Sequence, residues 1–267
     1  MSTSNTPGTA LVTGASSGIG AVYADRLARR GHDLVLVARS GERLAELAAR
    51  LERDTGRRVR TLAADLNVPA QLAAVEDALR TDASITMLVN NAGVGSSAPL
   101  LQADVEKMDA MIALNVGALT RLTYAAAPAF VARGRGTIVN IASIVAVAPQ
   151  LLNGVYGGSK AFVLALTQSL QHELADKGVR VQAVLPGATA TDFWDVAGTP
   201  VSHLPTEWVM SSSDLVDAAL AGLDAGEVVT IPSLPDAADW KAVETALQAL
   251  GPNLSRSRPA ARYGVAG

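Results

Sequence analysis

The sequence predicts a doubly wound α/β fold, one parallel sheet of about seven strands with helices on both faces. Three observations carry this expectation. Short apolar runs alternate with longer helical patterns from Thr9 onward. The run Leu34 to Ala38, LVLVA, is apolar without a break, as in a strand covered on both sides. The chain has 267 residues, 49% of them hydrophobic, which is enough to bury a large core. Strands separated by helices then imply right-handed crossovers within a single sheet.

Taken in order, Thr9 to Val12 reads as a buried strand that runs into the turn TGASSG. A helix follows over Ile19 to Arg30, and Gly31 suits a left-handed C-terminal cap. After the strand Leu34 to Ala38, Glu42 to Arg53 carries leucines at 44, 47 and 51, one helix stripe. Next come strand Val59 to Ala63, helix Pro69 to Leu79, strand Ile85 to Val89, a long helix Val105 to Ala132 and strand Thr137 to Ile141. Helix Val155 to Lys177, strand Val179 to Leu185, helix Asp214 to Leu223 and strand Val228 to Ile231 complete the alternation. The segment Gly187 to Ser213 has no period and holds Phe193, Trp194, Pro200, Pro205 and Trp208, which suggests a lid. Asp236 to Leu250 reads as a last helix and Gly251 to Gly267 as a loose or partner-docked tail. No repeat or linker divides the chain, so residues 1–267 are expected to form one domain, with 233–267 as its C-terminal helix and tail.

Composition removes several classes of chemistry. Without cysteine there is no disulfide, thiolate site or cysteine nucleophile. His32, His172 and His203 lie far apart without ligand spacing, so no metal centre is expected. A formal charge of −3 gives no field for nucleic acid or an anionic membrane. No segment reads as a membrane span, the most apolar stretch, Ile138 to Ala148, being too short. The N-terminus MSTSNTPG lacks a basic start and an apolar signal core, so a cytoplasmic protein is expected.

The first strand ends in Thr13-Gly14-Ala15-Ser16-Ser17-Gly18-Ile19-Gly20, directly before a helix. Glycines there allow a sharp turn and close approach of backbone to a pyrophosphate, whose charge the helix N-terminus attracts. The same residues fit G-x-S-x-G, the nucleophile elbow of a serine hydrolase, but such a fold has several strands before its elbow. Only His172 and His203 could complete a triad, so hydrolysis is the weaker reading. A free ribose 2′-OH is usually gripped by a carboxylate about 20 residues past the turn. Ala38 stands at that place, followed by Arg39 and Ser40, which can pair with a 2′-phosphate. NADP is therefore expected rather than NAD.

Lysine occurs only at Lys107, Lys160, Lys177 and Lys241, so each position carries information. In Tyr156-Gly157-Gly158-Ser159-Lys160, helical spacing puts a phenol and an ammonium on one face. A fixed cation is expected to lower the phenol from its usual value of about 10, making it a proton donor and acceptor for a carbonyl oxygen. Ser143 falls just past the strand Thr137 to Ile141, at the sheet edge where ligands bind, and can polarise that carbonyl.

With these motifs in this order, residues 8 to 232 resemble the short-chain dehydrogenase/reductase family in its compact form, with a Rossmann-type fold. The resemblance implies that Gly14, Ser16, Ser17, Gly18, Ile19 and Gly20 form the coenzyme turn. It implies that Asp65 and Leu66 contact the adenine and that Asn90-Asn91-Ala92-Gly93 lines the coenzyme. Asn115 would kink its helix and hold a water in a proton relay to Lys160. Ser143, Tyr156 and Lys160 match the polarising serine, the acid/base, and the lysine that binds the nicotinamide ribose. Pro186, Gly187, Thr189 and Thr191 would meet the nicotinamide. Gly157 and Gly158 depart from the family's usual serine or alanine, each costing a helix about 1 kcal/mol.

The expected pocket walls are Val94, Gly95, Ser143, Ile144 to Val147 with Val145 among them, Leu151 to Asn153 with Leu152, and the lid from Phe193 and Trp194. These favour an uncharged, hydrophobic ketone, aldehyde or secondary alcohol. The family implies a homodimer or homotetramer over the helices around 105–132 and 155–177, where Ala125, Ala126, Ala161 and Ala165 could pack closely or face the sheet. A nucleotide-binding regulator without turnover is the alternative reading.

Overall fold

Strands β1 (Thr9–Thr13), β2 (Asp33–Ala38), β3 (Val59–Ala63), β4 (Ile85–Asn90), β5 (Gly136–Ile141), β6 (Val179–Val184) and β7 (Val229–Thr230) pair in parallel in the order β3-β2-β1-β4-β5-β6-β7. The structure is a computed structural model and describes residues 7–265. The order reverses between β1 and β4, so a crevice opens at their C-terminal ends, where such sheets bind ligands.

Side chains of successive strand residues leave on opposite faces, which splits the core in two. On one face Ala10 and Val12 of β1 pack with α1 (Gly18–Arg29), α2 (Gly41–Thr55) and α8 (Ser212–Asp224), through Tyr23, Leu44 and Leu220 among others. On the other face Leu11 packs with α3 (Pro69–Thr81), α5 (Leu119–Ala132) and α6 (Gly154–Leu174), through Leu79, Phe130 and Leu170 among others. Gly31, with φ 91°, takes the left-handed conformation expected after α1.

Several boundaries differ from the expectation. The helix over 105–132 is α4 (Val105–Ile112), a π-helical turn Ala113–Ala118 and then α5. This 28-residue stretch is also long and apolar enough to cross a membrane by length and composition, against the expectation that none is. Leu122, Ala125, Ala126 and Phe130 from it are buried in the core beneath the sheet. Ala125 and Ala126 thus face the sheet, while Ala165, Tyr124 and Phe162 stay exposed. The last strand is only Val229–Thr230, because it pairs on one side alone, with β6.

The expected single domain divides between Pro232 and Ser233 into two compact units. The larger holds the whole sheet. The smaller holds α9 (Ala237–Leu250) and short 3-10 turns at Gly251–Asn253 and Ala261–Tyr263.

Candidate active site

At the end of β1 the chain turns through Gly14 (φ 64°) and re-enters α1 through Gly18 (φ 53°), conformations that side chains oppose. The space is also taken: a Cβ on Gly14 would lie 2.8 Å from Asn91 Nδ2, and one on Gly20 would overlap the Gly14 carbonyl. Ser17 caps α1 by backbone conformation alone, and no acidic residue sits in the first turn. The first N–H groups of the helix thus keep no side-chain acceptor, the electrostatics of a phosphate cradle.

The loop after β4 is tied to that turn. Thr13 Oγ1 accepts from Asn91 N and Ala92 N, both at 3.0 Å, and Asn91 Nδ2 donates to Thr13 O at 2.9 Å. Asn90 instead turns inward and donates to Asn140 Oδ1 at 2.9 Å and Thr123 Oγ1 at 3.1 Å. Asn140 Nδ2 then reaches Thr167 Oγ1 at 2.9 Å, which fastens α6 to the sheet beneath the site.

At the end of β2, Arg39 is exposed and makes no ion pair among the described residues. Ser40 Oγ accepts from Arg43 N at 3.3 Å and caps α2, leaving its proton free to donate. Arg43, exposed in the first turn of α2, is a second cation there that the sequence reading passed over. Its signal was available, a second arginine four positions after Arg39 at the start of the helix. Asp65 Oδ1 accepts from Asn67 N at 2.9 Å in the loop after β3, and Leu66 beside it is buried.

Tyr156, Lys160 and Ser143 meet at the C-terminal ends of β5 and β6. Ser143 Oγ donates to Pro186 O at 3.4 Å and accepts from Val145 N at 3.3 Å, both long enough to yield to a better partner. It also lies close enough to the Tyr156 hydroxyl to favour the ionised phenol. Lys160 Nζ donates to Ile141 O at 2.8 Å and lies 5.8 Å from the Tyr156 ring centroid. The expected lowering of the phenol is overturned here. Burial pushes Tyr156 up to about 12, with Ser143 countering only in part. The same burial drives Lys160 down to about 8, so the amine holds its charge weakly. At neutral pH such a phenol carries its proton, as the donor to a developing alkoxide must.

Asn115 lies in the π-helical turn, its side chain wholly committed. Its Oδ1 accepts from Val94 N at 3.0 Å, while Nδ2 donates to Val94 O at 2.9 Å and Ser159 Oγ at 3.1 Å. Ser159 Oγ in turn donates to Tyr156 O at 2.8 Å. The widened turn and the catalytic helix are thus linked through one asparagine. Gly93 faces this group, its missing Cβ falling 3.1 Å from Asn115 Oδ1 and 3.5 Å from Lys160 Nζ. Gly157 lets Pro149 approach, since a Cβ would lie 3.1 Å from the proline Cβ, and α6 continues unbroken through Gly157 and Gly158.

On the substrate side, Met111, Val145 and Tyr156 form an apolar cluster with Val94, Leu152 and Phe193 against it. Two expected wall residues do other work. Asn153 caps α6, its Oδ1 accepting from Val155 N at 2.8 Å and its Nδ2 donating to Ala98 O at 2.6 Å. Trp194 is buried, and its indole N–H donates to Thr189 O at 2.9 Å. The irregular segment expected over 187–213 contains α7 (Phe193–Ala197) and 3-10 turns at Val201–His203 and Thr206–Trp208. Thr189 is buried and bridges to Met210 at the base of this segment. Thr191 reaches the coenzyme turn, its Cγ2 3.0 Å from where a Gly18 Cβ would stand. Pro186 is buried and Gly187 half-buried beside Ile144. Ser16 has no histidine partner among the described residues, so the hydrolase reading finds no base.

Comparison with known proteins agrees with this geometry. A family model described as short chain dehydrogenase matches residues 8–200. A short-chain dehydrogenase from Sphingobium yanoikuyae, solved in complex with NADPH, is 53% identical and superposes with a TM-score of 0.92, covering 95% of this chain and 98% of that one. A bulky-bulky ketone specific alcohol dehydrogenase from Comamonas testosteroni is 47% identical with a TM-score of 0.88, covering 96% of this chain and 98% of that one. An uncharacterised oxidoreductase of Staphylococcus saprophyticus is 35% identical over 227 residues, 83% of this chain and 93% of its own.

Proposed function

The chain belongs to the short-chain dehydrogenase family of oxidoreductases, and on that premise we propose that it interconverts an uncharged, hydrophobic ketone or aldehyde with its alcohol, using NADP(H). The observation that carries this reading is the meeting of Tyr156, Ser143 and Lys160 beside an apolar cluster of Met111, Val145, Val94, Leu152 and Phe193. Such a wall favours an uncharged carbonyl compound over a sugar phosphate or a small acid.

The residues fit a dinucleotide phosphate. The turn at Gly14, Gly18 and Gly20 has backbone where side chains would stand, and α1 begins with uncapped N–H groups. Arg39 supports the 2′-phosphate form, as does the NADPH bound by the Sphingobium protein. The chemistry such a coenzyme supplies is a hydride equivalent at its nicotinamide ring. Ser143, whose present hydrogen bonds are long, turns its hydroxyl to the substrate oxygen and fixes its direction. Tyr156 delivers its proton to that oxygen as negative charge develops there. Lys160, held by the Ile141 carbonyl, would hold the ribose hydroxyls of such a nucleotide, and Asn115 fixes the Val94 backbone. In the reverse direction Tyr156 takes the proton back.

The test is loss of NADPH absorbance with a panel of carbonyl compounds graded by size and charge. Uncharged hydrophobic ketones should exceed keto acids and sugar phosphates in kcat/KM by about tenfold or more. A preference for charged substrates would overturn the reading. A homo-oligomer over α4, α5 and α6 is also proposed, resting on exposed Tyr124 and Phe162 rather than on Ala125 and Ala126. Light scattering that gives a monomer would remove it.

A further inference from the structure

The lid helix α7 is fixed at both ends. At its start, the Trp194 indole N–H donates to Thr189 O at 2.9 Å, below which Ala190 N donates to Met210 O and Met210 N to Ala188 O, both at 2.9 Å. At its end, the Ser97 backbone N–H donates to Ala197 O at 2.9 Å and the Ser97 hydroxyl to the same oxygen at 2.8 Å. Thr199 Oγ1 adds a bond to Ser97 Oγ at 2.9 Å. The loop after β4 therefore holds the lid down on the site, so the side chain at the first position of α7 has little freedom to swing.

That side chain is Phe193. Its ring centroid lies 5.7 Å from that of Tyr156 at an interplanar angle of 44°, and 5.7 Å from the Trp194 ring, edge to face. The ring sits against the loop after β4. It lies over Gly95, where an added Cβ would overlap Cζ and come within 2.8 Å of Cε2. Gly95 has no positive φ among the described glycines, so the requirement for glycine there is one of space for the ring and not of backbone conformation. Val145 and Met111, which cluster with Tyr156, are fully buried. Phe193 is half-buried and faces the acid/base from the lid.

From this juxtaposition we infer that Phe193, seated by the absence of a side chain at Gly95 and held by the Ser97 latch, sets how large a ketone substituent fits beside Tyr156. The inference rests on the ketone reading above and adds the pair of residues that determines size. A ring on the lid side is compatible with a small substituent there. Its removal opens that side of the site at the loss of one ring contact to Tyr156, and leaves the hydrogen bonds of Ser143 and Lys160 as they are. The seat also makes the two positions interdependent: a methyl at Gly95 harms the site only while the ring is present.

The experiment compares wild type, Phe193→Ala, Phe193→Leu, Gly95→Ala and the double variant Gly95→Ala/Phe193→Ala on matched ketones with one methyl or two bulky substituents. One or two methylenes of pocket space are worth about ten- to a hundredfold in discrimination. Phe193→Ala should raise the kcat/KM ratio of bulky over methyl ketone by about tenfold, and Phe193→Leu by less. Gly95→Ala should lower kcat/KM by about tenfold in the wild-type background and by less than about twofold once Phe193 is alanine, a strong coupling between touching residues. An unchanged substrate ratio in both Phe193 variants, or an equal effect of Gly95→Ala in both backgrounds, overturns the inference while ketone turnover stands. No turnover of any ketone by the wild type would remove the ketone reading and the inference together.

Discussion

Replacing Lys160 by methionine should abolish turnover and yet stabilise the protein at neutral pH. Burial lowers this amine from 10.5 to about 8. At about 1.4 kcal/mol for each pH unit, that displacement corresponds to about 3 kcal/mol of desolvation opposing the folded state. Because the folded value lies below the unfolded one, the unfolded chain holds the proton more tightly. The cost is complete below about pH 8, shrinks as pH rises, and is gone above about pH 10.5. Methionine removes the charge at similar volume but also deletes the hydrogen bond to the Ile141 carbonyl, worth about 1 kcal/mol. The variant should therefore be more stable by about 2 kcal/mol at neutral pH and less stable by about 1 kcal/mol near pH 10.5. Urea unfolding of both proteins without coenzyme, at the two pH values, measures this. Other titrating groups cancel in the difference. A stability difference that stays the same at both pH values would refute the reasoning.

Two further outcomes follow from the site. Arg39→Ala should weaken NADPH binding by about ten- to a hundredfold, the worth of one charge-assisted contact, and leave NADH binding unchanged, as followed by coenzyme fluorescence. Equal weakening of both would mean that Arg39 does not read the 2′-phosphate. Asn153→Ala removes the cap that holds the first turn of α6 and Tyr156 within it, so stability should fall by about 1 kcal/mol and kcat should fall with little change in KM. Thermal unfolding and steady-state kinetics test this together, and an unchanged kcat would return Asn153 to the role of a simple wall residue.

The parts legible in the sequence are those that local chemistry dictates. The apolar run of β2, the glycine turn and the spacing of Tyr156 and Lys160 each follow from backbone geometry over a few residues, and the sheet order puts them at one edge. What was not legible depends on partners distant in sequence. The stretch Val105–Ala132 has plain helical periodicity, and its π-helical turn is found where Asn115 is drawn to the backbone of Val94. The five residues of α7 are too short to form alone and are set by bonds to Ser97 and Thr189. Asn153 could have been read correctly, since asparagine directly before a helix is a favoured cap, but its place beside Tyr156 suggested substrate contact instead. The phenol misled for a different reason. Spacing places a cation near the phenol, but burial of the hydroxyl outweighs any lowering, and burial is a property of the folded core that spacing does not carry.

The most direct measurement is the kcat/KM of Tyr156→Phe on the best ketone, beside the dissociation constant for NADPH. Loss of the hydroxyl should cost turnover about a hundredfold or more while coenzyme binding stays within about twofold. Full turnover without that hydroxyl would contradict proton transfer by Tyr156, and with it the chemistry assigned to the site.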